Sequence, residues 1–213
     1  MPRRLWAILA VAFGVGLSVL DSAIANVALP TIGLELGISS ADSIWIVNAY
    51  QLAIMISLLS FSALGDVVGY RKVYIGGLML FTVASVGCAL STSLPTLVLA
   101  RVMQGFGAAA VTSVNTTLIR IIYPKAQLGR GMGINATVVA VSSVAGPTIA
   151  AGILSIAHWP WLFAVNIPVG LVALSLSRRF LPDNPVRVGT HRFDWRDAVM
   201  NALTFGLLMA SVE

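Results

Sequence analysis

Formal charge is what this sequence most lacks. Among 213 residues there are 13 Lys and Arg and 8 Asp and Glu, so charged residues make up only 10%. An ordinary soluble domain carries roughly 25%. Hydrophobic residues reach 58%, too many to hide inside a water-soluble globule of this size, so lipid is the expected solvent. Cys88 is the only cysteine, which excludes an intrachain disulfide and leaves packing as its expected role. His158 and His191 are the only histidines, and neither has metal-ligand spacing to another donor. There is no Gly-x-Ser-x-Gly elbow and no Gly-x-x-x-x-Gly-Lys loop. No enzyme, metal site or cofactor is expected. The net charge of +5 would point to nucleic acid in a soluble protein. In a membrane protein it reflects cations gathered in cytoplasmic loops, so nucleic acid is not an expected partner.

What is present is a series of long uncharged runs. Residues 43–65 and 73–100 hold 23 and 28 residues without a formal charge, each long enough to cross a bilayer. Between them lies the polar island Gly65-Asp66-Val67-Val68-Gly69-Tyr70-Arg71-Lys72. It predicts a tight turn between antiparallel helices. The amino terminus has the look of a signal peptide, with Ala23-Ile24-Ala25 as a small-residue cleavage site. The further runs favour an uncleaved first span over residues 5–29, ended by Pro30. Spans 2 to 4 are expected over 44–64, 73–90 and 96–119. Residues 131–177 give 47 uncharged positions, which divide at His158-Trp159-Pro160-Trp161 into spans 5 and 6. Residues 178–196 are basic, and 198–212 begin a seventh apolar run. Its shortness reads as the front portion of a longer protein.

If the spans alternate, 12 of the 13 Lys and Arg residues fall in one set of connections and none in the other. This bias places the amino terminus and the island in the cytoplasm. The exception, Arg101, lies within span 4, and Asp21 lies in span 1, about 24 Å along from Leu5. Intramembrane charges are functional candidates, and the opposed directions of spans 1 and 4 bring these two to similar depth as a pair. Either could instead reach the outer headgroups. Arg101, Gly105, Ala108, Thr112 and Asn115 share one helical face, with Gln104 and Gly107 beside it. Asn135, Ser142, Gly146 and Ala150 form a similar stripe in span 5, and Pro147 follows Gly146 mid-helix. Such faces line a cavity or pack closely on a neighbour. Asn115-Thr116-Thr117 matches a glycosylation pattern but falls inside a span.

These motifs resemble the major facilitator superfamily. Gly65, Asp66, Gly69 and Arg71 are similar to its motif A between spans 2 and 3, with Ser62, Val67 and Tyr70 departing from the pattern. Arg101-Val102-Met103-Gln104-Gly105-Phe106-Gly107 resembles motif B. Gly146-Pro147 resembles the core of motif C, the antiporter signature, with Ala150-Ala151 in place of its glycine pair. Residues 20–30, including Asp21 and Asn26, resemble the first-span signature of the fourteen-span drug:proton antiporters. Trp45, Tyr50 and Leu52 are similar to that branch, as are Trp159, Trp161, Phe163, Asn166, Pro168 and Gly170.

The resemblance implies an all-α membrane protein. It would have a six-helix amino-terminal bundle over 1–178, a basic connector over 179–196 and the start of a seventh helix over 197–213. It implies export of hydrophobic or cationic small molecules driven by protons across a bacterial inner membrane. A carboxyl-terminal bundle would be the partner in alternating access. Asp21 and Arg101 would couple protons, and Asp66 and Arg71 would form part of a cytoplasmic latch. The alternative is a non-transporting sensor or assembly partner built on the same bundle.

Overall fold

The computed structural model describes residues 2–183 and, beyond them, Met200 and Thr204. Most of the expected connector and seventh helix therefore lies outside the described residues. The described chain is almost wholly helical: α1 Pro2–Leu36, α2 Ser40–Ser43, α3 Trp45–Val68, α4 Tyr70–Ala89, α5 Leu94–Ile122, α6 Leu128–Leu154, α7 Pro160–Ala164 and α8 Asn166–Phe180. A single 3-10 turn, Lys125–Gln127, precedes α6. Six of these segments are long and apolar enough to cross a membrane, with α2–α3 and α7–α8 each counting as one. The chain is an all-α, multi-pass membrane protein.

Helix ends depart from expectation where local chemistry overrides a breaker. Pro30 does not end the first helix, which continues to Leu36. A proline removes one backbone donor, a loss that neighbouring packing absorbs in a membrane helix. The stop is Gly37, at φ +64°. There Ile38 N–H donates to Gly33 C=O at 3.0 Å and Gly37 N–H to Leu34 C=O at 3.3 Å, the two bonds of a Schellman cap. The sixth span is interrupted at Val165, between α7 and α8. Pro168 lacks the N–H that would bond the Ala164 carbonyl four residues earlier.

The polar island is tighter than predicted. Helix α3 runs through Asp66 to Val68 and α4 starts at Tyr70, so the turn is Gly69 alone, at φ 107° and ψ 135°. Gly69 N–H bonds Gly65 C=O at 3.0 Å, and Val73 N–H bonds Gly69 C=O at 3.2 Å, so one residue both closes α3 and opens α4. That backbone region is populated essentially by glycine. Gly69→Ala is expected to cost about 1–3 kcal/mol of strain. Gly37→Asn, at an ordinary left-handed cap, should cost far less. Thermal unfolding of both variants in detergent checks this ordering, and equal melting temperatures would contradict it.

Helix α5 is the hub, packed most extensively on α3 and α4, while α1 packs on α6 and α8. Glycine lets backbones meet. A Cβ on Gly107 would stand 2.8 Å from Phe81 Cα, and one on Gly77 would stand 2.9 Å from Gly107 O. Two apolar clusters stack along the bundle. One, at the basic end, includes Tyr70, Tyr74, Leu118 and Tyr123. The other, toward the far end, includes Ile32, Leu97, Trp159 and Leu162. Between them lies a buried polar layer.

Candidate functional site

The polar layer is built around Asp21, halfway along α1 and 1% exposed. Its Oδ2 accepts from Arg101 Nη1 of α5 at 2.5 Å. Its Oδ1 accepts from Gln104 Nε2 at 3.0 Å and from Asn166 Nδ2 of α8 at 2.5 Å. Arg101 is itself fully buried and donates from Nη1 to Gln104 Oε1 at 2.6 Å and from Nε to the Ile46 carbonyl at 3.1 Å. Gln104 Nε2 also donates to Ser85 Oγ of α4 at 2.9 Å, and Cys88 Sγ donates to Gln104 Oε1 at 3.4 Å. The guanidinium carbon stands 4.0 Å from the centroid of the Tyr50 ring and 5.5 Å from that of Phe163, an arrangement that stabilises a desolvated cation. Tyr50 is tied down by its hydroxyl, which donates to Ser18 C=O at 3.2 Å.

Helices α1, α3, α4, α5, α7 and α8 all contribute. Neither charge reaches the headgroups: the ion pair is sealed, with side-chain exposures of 0% and 1%. Removing two ions from water is costly, and the attraction between them compensates only when further hydrogen bonds satisfy the remaining lone pairs and protons. Here Asp21 receives three donors. The arrangement thus satisfies the carboxylate in low dielectric, while Arg101 Nη2 is buried with no hydrogen-bond partner among the described residues.

Asp21, Arg101 and Gln104 are the residues that sequence reading singled out and the fold brings together, and Gly105, next along α5, packs on the Tyr50 backbone. The other candidates lie elsewhere. Asn26 is exposed and bonds the Ser22 carbonyl of its own helix. Thr112 bonds the Ala108 carbonyl, likewise within its helix. Asn115 Nδ2 donates to Asn135 Oδ1 at 2.9 Å and links α5 to α6 nearer the basic end. Ser142 lies against Gly16, whose added Cβ would stand 3.1 Å from Ser142 Oγ, and Gly146 packs directly on Ala23. The α6 stripe is thus a close-packing face toward α1. Pro147 is exposed within α6, which continues unbroken to Leu154.

Sequence reading gave no site role to Asn166, Ser85, Tyr50 or Phe163. The available signal was an uncharged amide in an otherwise apolar run, and Asn166 was visible only as part of a resemblance.

At the basic end, Asp66 Oδ1 accepts from the Tyr70 hydroxyl at 2.5 Å, so a residue that departs from the motif A pattern supplies a phenol donor. Arg71 pairs with Asp183 and donates from Nη2 to the Arg178 carbonyl at 2.6 Å. It thereby ties the start of α4 to the end of α8. Gly65 is buried, and a Cβ there would stand 2.9 Å from both Tyr70 and Val114.

The family model of the Major Facilitator Superfamily matches residues 11–212. The chain belongs to the major facilitator superfamily. Similar members include the uncharacterized transporter YebQ of Escherichia coli, 62% identical over the whole chain and 47% of YebQ. The riboflavin transporter RibZ of Clostridioides difficile is 35% identical, over 85% of this chain and 40% of RibZ. MdtD of Salmonella typhi, named as a candidate multidrug resistance protein, is 33% identical over 98% of this chain and 44% of MdtD. The chain thus spans just under half the length of these superfamily relatives. Among solved structures, the proton:xylose symporter XylE superposes with a TM-score of 0.71 at 15% identity, over 95% of this chain and 48% of XylE. A bacterial homologue of the lysosomal transporter Spinster, inward-facing and unoccupied, gives 0.65 at 20% identity, over 89% of this chain and 46% of the homologue. These two superpositions establish the fold.

Proposed function

We propose that this chain is the amino-terminal bundle of a proton-coupled transporter that exports hydrophobic or cationic small molecules by alternating access. The observation that carries the reading is the sealed Asp21–Arg101 pair with Gln104 and Asn166 completing the carboxylate's shell. Asp21 is the proton carrier. As a carboxylate it holds α1, α5 and α8 together. Once protonated, it no longer balances the buried guanidinium, and Arg101 must find other partners or shift. That change of packing is the step coupled to rocking against a second bundle. Arg101 sets how firmly the carboxylate is held.

The relatives' names point two ways, to riboflavin and to multidrug resistance. The drug-export reading follows from Gly146-Pro147 and the first-span stretch around Asp21, which resemble the antiporter branch. Residues 1–178 would be the bundle, 179–196 the connector and 197–213 the start of the next helix. Asp66 and Arg71 serve as half of a gate on the basic end, which faces the cytoplasm. The bacterial relatives support an inner-membrane location, and the one-sided cations support a cytoplasmic amino terminus.

The test uses the full-length protein in vesicles carrying a proton gradient, with a fluorescent lipophilic cation as cargo. Asp21→Asn keeps the shape of the side chain but cannot cycle a proton. Proton-driven accumulation should fall by at least about tenfold, as expected for loss of an essential proton carrier, while the folded fraction persists. Undiminished coupling in Asp21→Asn would end the proposal.

A further inference from the structure

The basic end holds a cavity of about 540 Å³ bordered by Arg3, Arg4, Arg71 and Arg179 against one carboxylate, Asp183. Arg71 is already engaged with Asp183. Arg3 and Arg179 have no carboxylate partner among the described residues. Arg4 bonds Gln127 at 2.9 Å and lies over the Tyr123 ring, yet its Nε is buried with no hydrogen-bond partner. Such a concentration of cations is unfavourable on its own and calls for an anion.

The walls indicate where that anion comes from. Ile121, Ile122 and Phe180 also line the cavity, and Trp6 stacks on Phe180 with centroids 5.6 Å apart. Trp6 is itself 44% exposed, between the exposed Leu5 and Leu9 of α1. An exposed tryptophan at a helix end marks the headgroup level of a bilayer. Arg4 is shared with a second cavity of about 340 Å³, lined by Leu5, Ile8 and Ile134 and also by Tyr123, Gln127 and Arg130. Cations above and an exposed apolar face below match a molecule with an anionic head and hydrocarbon tails. Basic pockets between transmembrane helix ends bind anionic lipid headgroups by this chemistry.

We infer that this end of the bundle is a binding site for an anionic phospholipid. Its phosphate lies among Arg3, Arg4 and Arg179, and its acyl chains lie along Leu5, Ile8 and Ile134. The occupied site ties the start of α1 to the end of α8, beside the residues proposed as a gate. The inference needs the proposed orientation only to name the cytoplasmic leaflet, and it makes no use of cargo or proton coupling.

The test is native mass spectrometry of the full-length protein purified in detergent and titrated with phosphatidylglycerol or phosphatidylcholine. Phosphatidylglycerol should be retained and phosphatidylcholine lost. Each arginine removed should weaken retention about fivefold, so Arg3→Gln with Arg179→Gln should weaken it roughly 25-fold. Arg120→Gln removes the same type of charge from the basic end without bordering either cavity, and should leave retention unchanged. A melting curve confirms that each variant is folded. Equal retention of the two lipids, or equal loss in Arg120→Gln, would overturn the site. Displacement by millimolar inorganic phosphate would overturn the lipid assignment in favour of a soluble anion. Loss of transport in Asp21→Asn leaves these outcomes untouched, so the two proposals fail separately.

Discussion

Arg101→Leu is expected to destabilise the bundle by about 3–5 kcal/mol, the usual cost of stripping one partner from a buried ion pair. Asp21 would keep Gln104 and Asn166 as donors but lose its only counter-charge among the described residues. The converse change, Asp21→Asn, should cost less. The guanidinium retains the Ile46 carbonyl, Gln104 Oε1 and the Tyr50 ring face, and the new amide fits the old space. Combining Asp21→Asn with Arg101→Leu removes both charges. The double variant should therefore be more stable than Arg101→Leu alone, with a coupling energy above about 1 kcal/mol. Unfolding in a denaturing detergent series measures all four proteins. Simple addition of the two single losses would mean that the charges do not sense each other across 2.5 Å. Arg101→Lys keeps the charge but loses the fork geometry and the ring stacking. It should fall between wild type and leucine.

Gly105→Ala should lower stability by about 1–3 kcal/mol, and Gly105→Val by more, through overpacking. An added Cβ would stand 2.6 Å from the Tyr50 carbonyl oxygen and 2.7 Å from Ala53 Cβ. The first obstacle is backbone, so no rotamer change relieves it and α3 must move away from α5. Tyr50 moves with it and leaves the Arg101 guanidinium, so a one-carbon substitution also perturbs the polar layer. Gly76 and Gly129 provide controls, because nothing lies within 4 Å of an added Cβ at either position. Alanine there removes only the helix penalty of glycine, a gain of up to about 1 kcal/mol. Melting temperatures that fall at Gly105 and hold or rise at Gly76 and Gly129 support the packing account. Equal falls at all three positions would refute it.

Asp21 and Arg101 could be paired by depth from sequence alone, because a charge inside a long apolar run is conspicuous and span direction sets its height. The third donor could not. Asn166 comes from 145 residues away, on a helix whose rotation about its axis no local pattern records. Ser85 and Tyr50 were equally hidden, since a serine or tyrosine among apolar neighbours has many harmless uses. The same limit explains Pro30 and Thr112. A breaker's effect depends on what packs around it, and a hydroxyl on a promising face can spend its bond on its own helix.

Membership in a lipid-embedded, six-span bundle with one basic end was determined by the sequence itself. Bilayer thickness dictates run length, and desolvation confines charges to the ends, so both leave marks that read along the chain. Tertiary structure alone decided which faces meet. It made Gly69 the whole of a turn, set the α6 stripe against α1, and closed Asp21 within α1, α5 and α8. Those outcomes depend on helix rotation and on approach distances of a few tenths of an ångström, which arise only when distant segments pack together.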